Sequence, residues 1–187
     1  MHLYQVLCGL GNYTLAVDDY VEGRPEAQSL KVLADERNFV QHCLMSLTPD
    51  EETAKSEQEA SLYELCRLAA IIYSLIAVFP LPVTTAPFAK LGLQIKEQIS
   101  KPNIHVRWNE APQLMLWITV MAAIASVDLS ERSWFLLVLE RLIGRLKLNS
   151  WAQMKEHLQD FLWFGSTSNS DGFNLWKEIE DSSPFSV

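Results

Sequence analysis

Two apolar stretches, Tyr63–Pro82 and Ala111–Val127, restrict the folds that are open to this chain. In the first stretch apolar residues recur every three or four positions, and from Leu68 onward the other helix faces are apolar as well. A helix that is apolar on every side must be buried in protein or in lipid. Pro80 and Pro82 would end this helix, because proline lacks an amide donor and clashes with the preceding turn.

The second stretch contains no charged residue, but it is short for a membrane span, which needs about 20 residues. It also carries the polar residues Gln113, Thr119 and Ser126. A buried core helix is therefore favoured over a membrane span. The start of the chain has neither a basic flank nor a cleavage site, so an intracellular protein, cytoplasmic or nuclear, is expected.

The remaining periodic segments also have helical spacing. They predict an all-α fold, a single-domain helical bundle of about six to seven helices with two central buried helices. Outside the buried pair, helices are expected from Pro25 to about Leu47, from about Ala86 to Ser100, and over 133–148, 151–163 and 173–180. The expected N-cap of the helix from about Ala86 is Thr84 or Thr85. For the helix over 133–148 it is Asp128 or Ser130, and for the helix over 151–163 it is Asn149 or Ser150.

The domain division places an N-terminal extension at 1–24, the helical domain at 25–180 and a loose tail at 181–187. Within the extension Val6, Cys8 and Leu10 alternate, which allows either a strand or irregular packing. The polar, acidic segment 48–60 is expected to be a mobile loop or a fraying helix start. The segment 165–172 is expected to be a loop, because glycine and serine dominate it.

The charge distribution argues against nucleic-acid binding. The net charge is −8, and eleven of the 23 acidic residues lie in residues 1–60 with only four basic residues. The nearest basic cluster is Arg141, Arg145 and Lys147, which is best explained as the solvated last turn of a helix. Three separated cysteines indicate a reducing compartment rather than a disulfide framework.

No catalytic motif occurs in the chain: G-x-S-x-G, a Walker loop, H-E-x-x-H and paired metal-ligand spacing are all missing. Neither a metal nor a cofactor is therefore expected. Glu64 and Arg67 are three residues apart and can pair on one helix face. Such a pair has either a structural role or serves as a polar group in an apolar pocket. The residues chosen as candidates for such a pocket are polar or aromatic: Tyr63, Glu64, Arg67, Tyr73, His105, Arg107, Trp108 and Trp117.

Several stretches resemble the C-terminal helical region of fungal-specific transcription factors, the regulatory part of zinc-cluster regulators. The resemblance covers roughly 30–180 and depends on packing motifs. These motifs are Tyr63-Glu64-x-Cys66-Arg67 with Phe79-Pro80, Arg132-x-Trp134-Phe135, and Phe161-Leu162-Trp163 followed by Asp171-Gly172 and Leu175-Trp176. The family reads DNA through six cysteines that hold two zinc ions, whereas this chain has three scattered cysteines.

The resemblance implies a stand-alone regulatory module without DNA binding of its own, acting in protein interaction or in sensing a small apolar ligand. The expected partner is a small apolar molecule or a protein, including a second copy in a homodimer, with no nucleic acid and no membrane. Two alternatives stay open. The same module can serve as a cofactor-free enzyme that cyclises an apolar intermediate in fungal natural-product biosynthesis, or the chain can be a truncated product without an independent role.

Overall fold

The computed structural model describes residues 2–47, 57–102, 104, 109–163 and 165–182. Helices dominate these residues and no strand occurs among them, which confirms the predicted all-α class. The described part of the chain contains eight α-helices, slightly more than the six to seven expected. They are α1 (Leu3–Val21), α2 (Leu30–Met45), α3 (Glu57–Tyr73), α4 (Ala86–Ile99), α5 (Pro112–Ala125), α6 (Arg132–Leu146), α7 (Trp151–Gln159) and α8 (Gly165–Ser182).

Helix α5 lies at the centre of the fold and is buried on every side from Met115 to Ala125. It packs against α3, α4, α6, α7 and α8. Thr119 donates a hydrogen bond to the carbonyl of Met115, and the Ser126 hydroxyl donates to the carbonyl of Ala122. These polar side chains are thus satisfied inside their own helix, which is what burial requires.

Helix α3 is the second buried helix, as predicted. The stretch Glu59–Val78 is long and apolar enough to cross a membrane by length and composition alone. Most of it is instead covered by other helices, with Leu65, Ala69 and Ile72 fully inaccessible to solvent. This helix and α5 pack directly against each other, so the two apolar stretches form one core.

The C-terminal end of α3 widens into a π-helical turn, Ser74–Val78. The amide of Phe79 donates to the carbonyl of Ser74, five residues earlier, at an N–O distance of 2.8 Å. The turn lies directly before Pro80, whose ring would clash with the carbonyl four residues earlier in a regular α-helix. The sequence therefore predicted the end of this helix correctly, but the last turn is a π-turn.

Residues 2–24 are part of the helical packing. Neither alternative predicted for Val6, Cys8 and Leu10 is correct, because this region forms α1, which packs against α2 and α3. The buried residues Leu3, Val6, Leu10 and Tyr13 recur every three or four positions, which is helical spacing. Helix α2 begins at Leu30 and not at Pro25, because the Ser29 hydroxyl caps it by accepting from the amide of Val32.

The predicted N-caps are partly correct. Thr85 precedes α4, and Ser150 caps α7 by accepting from the amide of Gln153. Helix α6 instead begins after Glu131, because Asp128 lies in a left-handed turn with φ of 64° and the Ser130 hydroxyl bonds to the Glu131 carboxylate. Neither residue predicted as its cap therefore occupies that position.

Helix α8 begins at Gly165, so the predicted loop 165–172 is wrong. This part of the helix lies beneath an aromatic pair, since Trp151 and Trp163 meet edge to face with ring centroids 6.0 Å apart. A Cβ atom at Gly172 would contact Trp151 and would lie 2.8 Å from Trp163. Packing against the two indoles thus outweighs the poor helix propensity of glycine and serine.

We predict that Gly172→Ala destabilises the protein by about 1–3 kcal/mol, because the added methyl group overlaps both indole rings. The matched control is Gly144→Ala in α6, where an added Cβ would meet no atom within 4 Å. This control should raise stability by up to about 1 kcal/mol through helix propensity. Urea unfolding followed by circular dichroism measures both changes, and equal effects of the two substitutions would contradict the proposed overlap.

Candidate functional site

Of the eight pocket residues predicted from the sequence, the structure describes five, and these lie on two helices. Tyr63, Glu64, Arg67 and Tyr73 lie on α3, and Trp117 lies on α5. The other three, His105, Arg107 and Trp108, lie outside the described residues. Because six residues separate Arg67 from Tyr73, their backbones are about 9 Å apart along the α3 axis.

Glu64 and Arg67 form the ion pair that their spacing predicts. The guanidinium donates from Nε to Oε2 at 2.8 Å and from Nη2 to Oε1 at 2.7 Å. Both side chains are largely shielded from solvent, and the hydrogen bonds to Glu64 raise the pKa of Arg67 above its ordinary value. The two carboxylate oxygens and the guanidinium thus satisfy each other, which agrees with a structural role for the pair.

Tyr73 is a buried side chain between α3 and α1. Burial raises the pKa of Tyr73 to about 12, although a hydrogen bond with the Thr14 side chain partly opposes the shift. The Thr14 hydroxyl itself donates to the carbonyl of Gly11 at 2.9 Å. Tyr73 therefore links the N-terminal helix to the core.

Trp117 joins α5 to the segment between α7 and α8. Its indole Nε1 donates to the carbonyl of Leu162 at 2.7 Å, and its ring stacks on Phe161 at a centroid distance of 6.0 Å. Next to it, the Trp163 indole donates to the Asn169 side chain at 2.9 Å. The Phe161-Leu162-Trp163 motif thus fixes the last two helices on the core.

We predict that Tyr73 stays protonated well above pH 10, where an ordinary tyrosine ionises. Because its folded-state pKa is raised, its contribution to stability is complete below pH 10 and is lost as the pH rises through about 12. Ultraviolet titration of the wild-type protein minus that of Tyr73→Phe isolates this phenol. A difference spectrum that develops near pH 10 in the folded protein would contradict the assignment.

The described residues form a cleft of about 750 Å³ between α4 and α6. Of the predicted pocket residues that the structure describes, none lines it. Ile99, Val138 and Leu142 are its buried apolar residues, whereas Leu137 is 57% exposed. The other lining residues are Ser100, Asn109, Trp134, Arg141 and Arg145.

The cleft offers apolar surface and hydrogen-bond donors to a ligand. Its described lining includes no carboxylate, histidine or cysteine, and arginine stays protonated in proteins. Among the described residues no three histidine, cysteine or acidic side chains lie close enough together to hold a metal ion. The α6 residues of the cleft recur every three or four positions, so they lie on one helix side. Their spacing would look the same whether that side faced the core or a cleft.

Arg132 fixes the N-terminal end of α6 between two other helices. Its Nε donates to the Glu178 carboxylate of α8 at 3.1 Å, and its Nη1 donates to the Ala123 carbonyl of α5. Trp134 meets Phe135 edge to face at a centroid distance of 5.1 Å. The Arg132-x-Trp134-Phe135 motif is thus a packing motif that joins α5, α6 and α8.

We predict that Arg132→Met destabilises the protein by about 2–3 kcal/mol, because it removes charge-assisted bonds to a carboxylate and to a buried helix end. A double-mutant cycle with Glu178→Gln should give a coupling energy of about 1 kcal/mol, since Glu178 is 40% exposed. Arg24→Met is the control. Arg24 pairs with Asp19 and Glu22 in solvent, so its loss should cost at most about 0.5 kcal/mol.

An equal loss of stability in Arg132→Met and Arg24→Met would show that the Arg132 contacts stabilise the fold no more than an exposed ion pair does. A coupling energy near zero would show that the ion pair to Glu178 contributes nothing beyond the bond to Ala123.

The helical domain belongs to a known class. The fungal specific transcription factor domain matches residues 23–179, which is most of the chain. The chain belongs to this family. The match begins after α1, so the N-terminal helix that covers Tyr73 lies outside it. No curated protein and no solved structure shows a significant match to the chain.

Proposed function

We propose that this chain is a regulatory module that senses a small apolar molecule in the α4–α6 cleft, without DNA binding of its own. The observation that carries the proposal is the cleft itself. Its volume of about 750 Å³ lies within the range of small-molecule sites. Trp134, Leu137 and Val138 supply an apolar wall, and Ser100 and Asn109 supply polar groups that can orient a ligand.

A ligand in the cleft would influence the whole fold through α5. Helices α4 and α6 form the two sides of the cleft, and both pack against α5. A ligand that binds only the folded state stabilises it by about 2.7 kcal/mol at a hundredfold excess over its Kd. Occupancy of the cleft can thus be converted into a change in the population of the folded, partner-binding state.

The charge of the chain supports the absence of DNA binding. Its net charge of −8 repels phosphate, and each of its three cysteines is a free thiol. The zinc-cluster mode of the family needs six cysteines for two metal ions. We also propose that the chain acts inside the cell, in the cytoplasm or nucleus, through a ligand or a protein partner.

Protein interaction is the second candidate function. Large apolar side chains are exposed on the outer sides of α1 and α2, including Tyr4 (76%), Leu15 (65%) and Phe39 (59%). Exposed apolar surface of this kind is typical of protein interfaces when it is contiguous. A homodimer through these two helices would bury the same side chains.

We predict that the purified chain captures an apolar small molecule from a fungal extract, as a one-to-one complex in native mass spectrometry. Leu137→Trp should abolish capture, because the larger side chain would enter the cleft from an exposed position. Leu15→Trp is the matched control, since Leu15 is similarly exposed on α1. It should capture the same molecule as the wild-type protein.

The other outcomes are equally informative. A ligand-free dimer that Leu15→Trp weakens would contradict ligand sensing and support the interaction module. Turnover of the captured molecule would support the cyclase alternative, in which an apolar cleft holds a flexible substrate in a reactive conformer. Capture that survives Leu137→Trp unchanged would show that the ligand binds elsewhere.

A further inference from the structure

Two arginines lie at the cleft. Arg141 and Arg145 are four residues apart on α6, so they lie on the same side of the helix about 6 Å apart along its axis. Both are exposed. In the part of the chain that the structure describes, neither forms an ion pair, whereas Arg24, Arg67 and Arg132 all do.

This local positive charge contrasts with the acidic chain around it. All charged side chains in the described lining are basic, although acidic residues outnumber basic ones 23 to 15 overall. Lys96 of α4 adds a third cation, with its ammonium 5.8 Å from the centroid of the Trp134 ring. The helix macrodipole favours a cation such as Arg145 in the last turn of α6, but Arg141 lies a full turn earlier. Like charges four residues apart on a helix repel each other, and a bound anion would remove that repulsion.

We propose that the ligand of the α4–α6 cleft is an amphipathic carboxylate, with its apolar body against Trp134 and Leu137 and its carboxylate between Arg141 and Arg145. This inference rests on the proposed function and specifies its ligand class. The planar guanidinium is suited to carboxylates, because it donates two parallel hydrogen bonds to the two oxygens. An apolar wall beside two guanidinium groups that no described carboxylate pairs with suits such a ligand and not a neutral hydrocarbon.

The test compares three ten-carbon probes by calorimetry at neutral pH: sodium decanoate, 1-decanol and decyltrimethylammonium. Decanoate should bind the wild-type protein at least about tenfold more tightly than decanol, since charge-assisted bonds form only with the carboxylate. The ammonium probe should bind most weakly. Raising the salt concentration should weaken decanoate binding and leave decanol binding unaffected, because salt screens exposed charges.

The double variant Arg141→Gln with Arg145→Gln should weaken decanoate binding about tenfold and leave decanol binding unchanged. Both arginines are exposed, so the variant should fold, which circular dichroism and the retained decanol binding would show. The matched control is Lys31→Gln with Lys90→Gln, which changes the net charge equally at exposed positions on α2 and α4. That control should bind both probes as the wild-type protein does.

Failure of this inference can be distinguished from failure of the proposed function. Equal binding of decanoate and decanol, unchanged in the arginine variant and lost in Leu137→Trp, would overturn the carboxylate and leave apolar sensing intact. Binding of no probe, or binding that Leu137→Trp does not affect, would overturn both. Dimerisation in sedimentation velocity that disappears in the arginine variant would assign the two arginines to a protein partner and overturn the inference.

Discussion

The burial of α5 on all sides is the constraint on which the rest of the structure depends. An apolar helix with no polar side cannot face water, so five other helices must cover it. Its buried hydroxyl groups need no outside partner, because Thr119 and Ser126 donate to carbonyls of their own segment. Helix α4 also approaches α5 closely, because it is one of the helices that cover it. A Cβ atom at Gly92 would lie 2.8 Å from the Ser126 hydroxyl, so a side chain there would force that hydroxyl to move.

The sequence predicts this core well and the surrounding helices less well. The two buried helices were identified because their apolar residues leave no other fold open. The error at α1 arose from Val6, Cys8 and Leu10, whose alternation is also part of a helical pattern with Leu3 and Tyr13. The error at α8 arose because serine, asparagine and glycine favour loops locally. The contact of Gly172 with two tryptophans is a tertiary interaction that local propensity does not contain.

The candidate site could not be predicted for a related reason. Val138 and Leu142 are buried, whereas Leu137 and Arg141 on the same side of α6 are exposed, and the sequence pattern alone does not separate them. Whether a helix side packs or lines a cleft depends on where the neighbouring helix ends, and α4 ends at Ile99 on the edge of this cleft. The pocket residues were predicted from their aromatic or polar side chains. In the structure two of these side chains, Tyr73 and Trp117, form contacts that join helices.

Helix α6 connects the cleft to the rest of the domain, because its first turn is bonded to other helices and its second half lines the cleft. Arg132 fixes the first turn of α6 to α5 and α8, whereas Arg141 and Arg145 lie at the cleft in its second half. A ligand that neutralises those two arginines would act on a helix that is already anchored at its other end. Ligand binding would therefore shift α5 and α8 as well, and not α6 alone. Arg132 thus supports, from the first turn of α6, a cleft to which it does not itself belong.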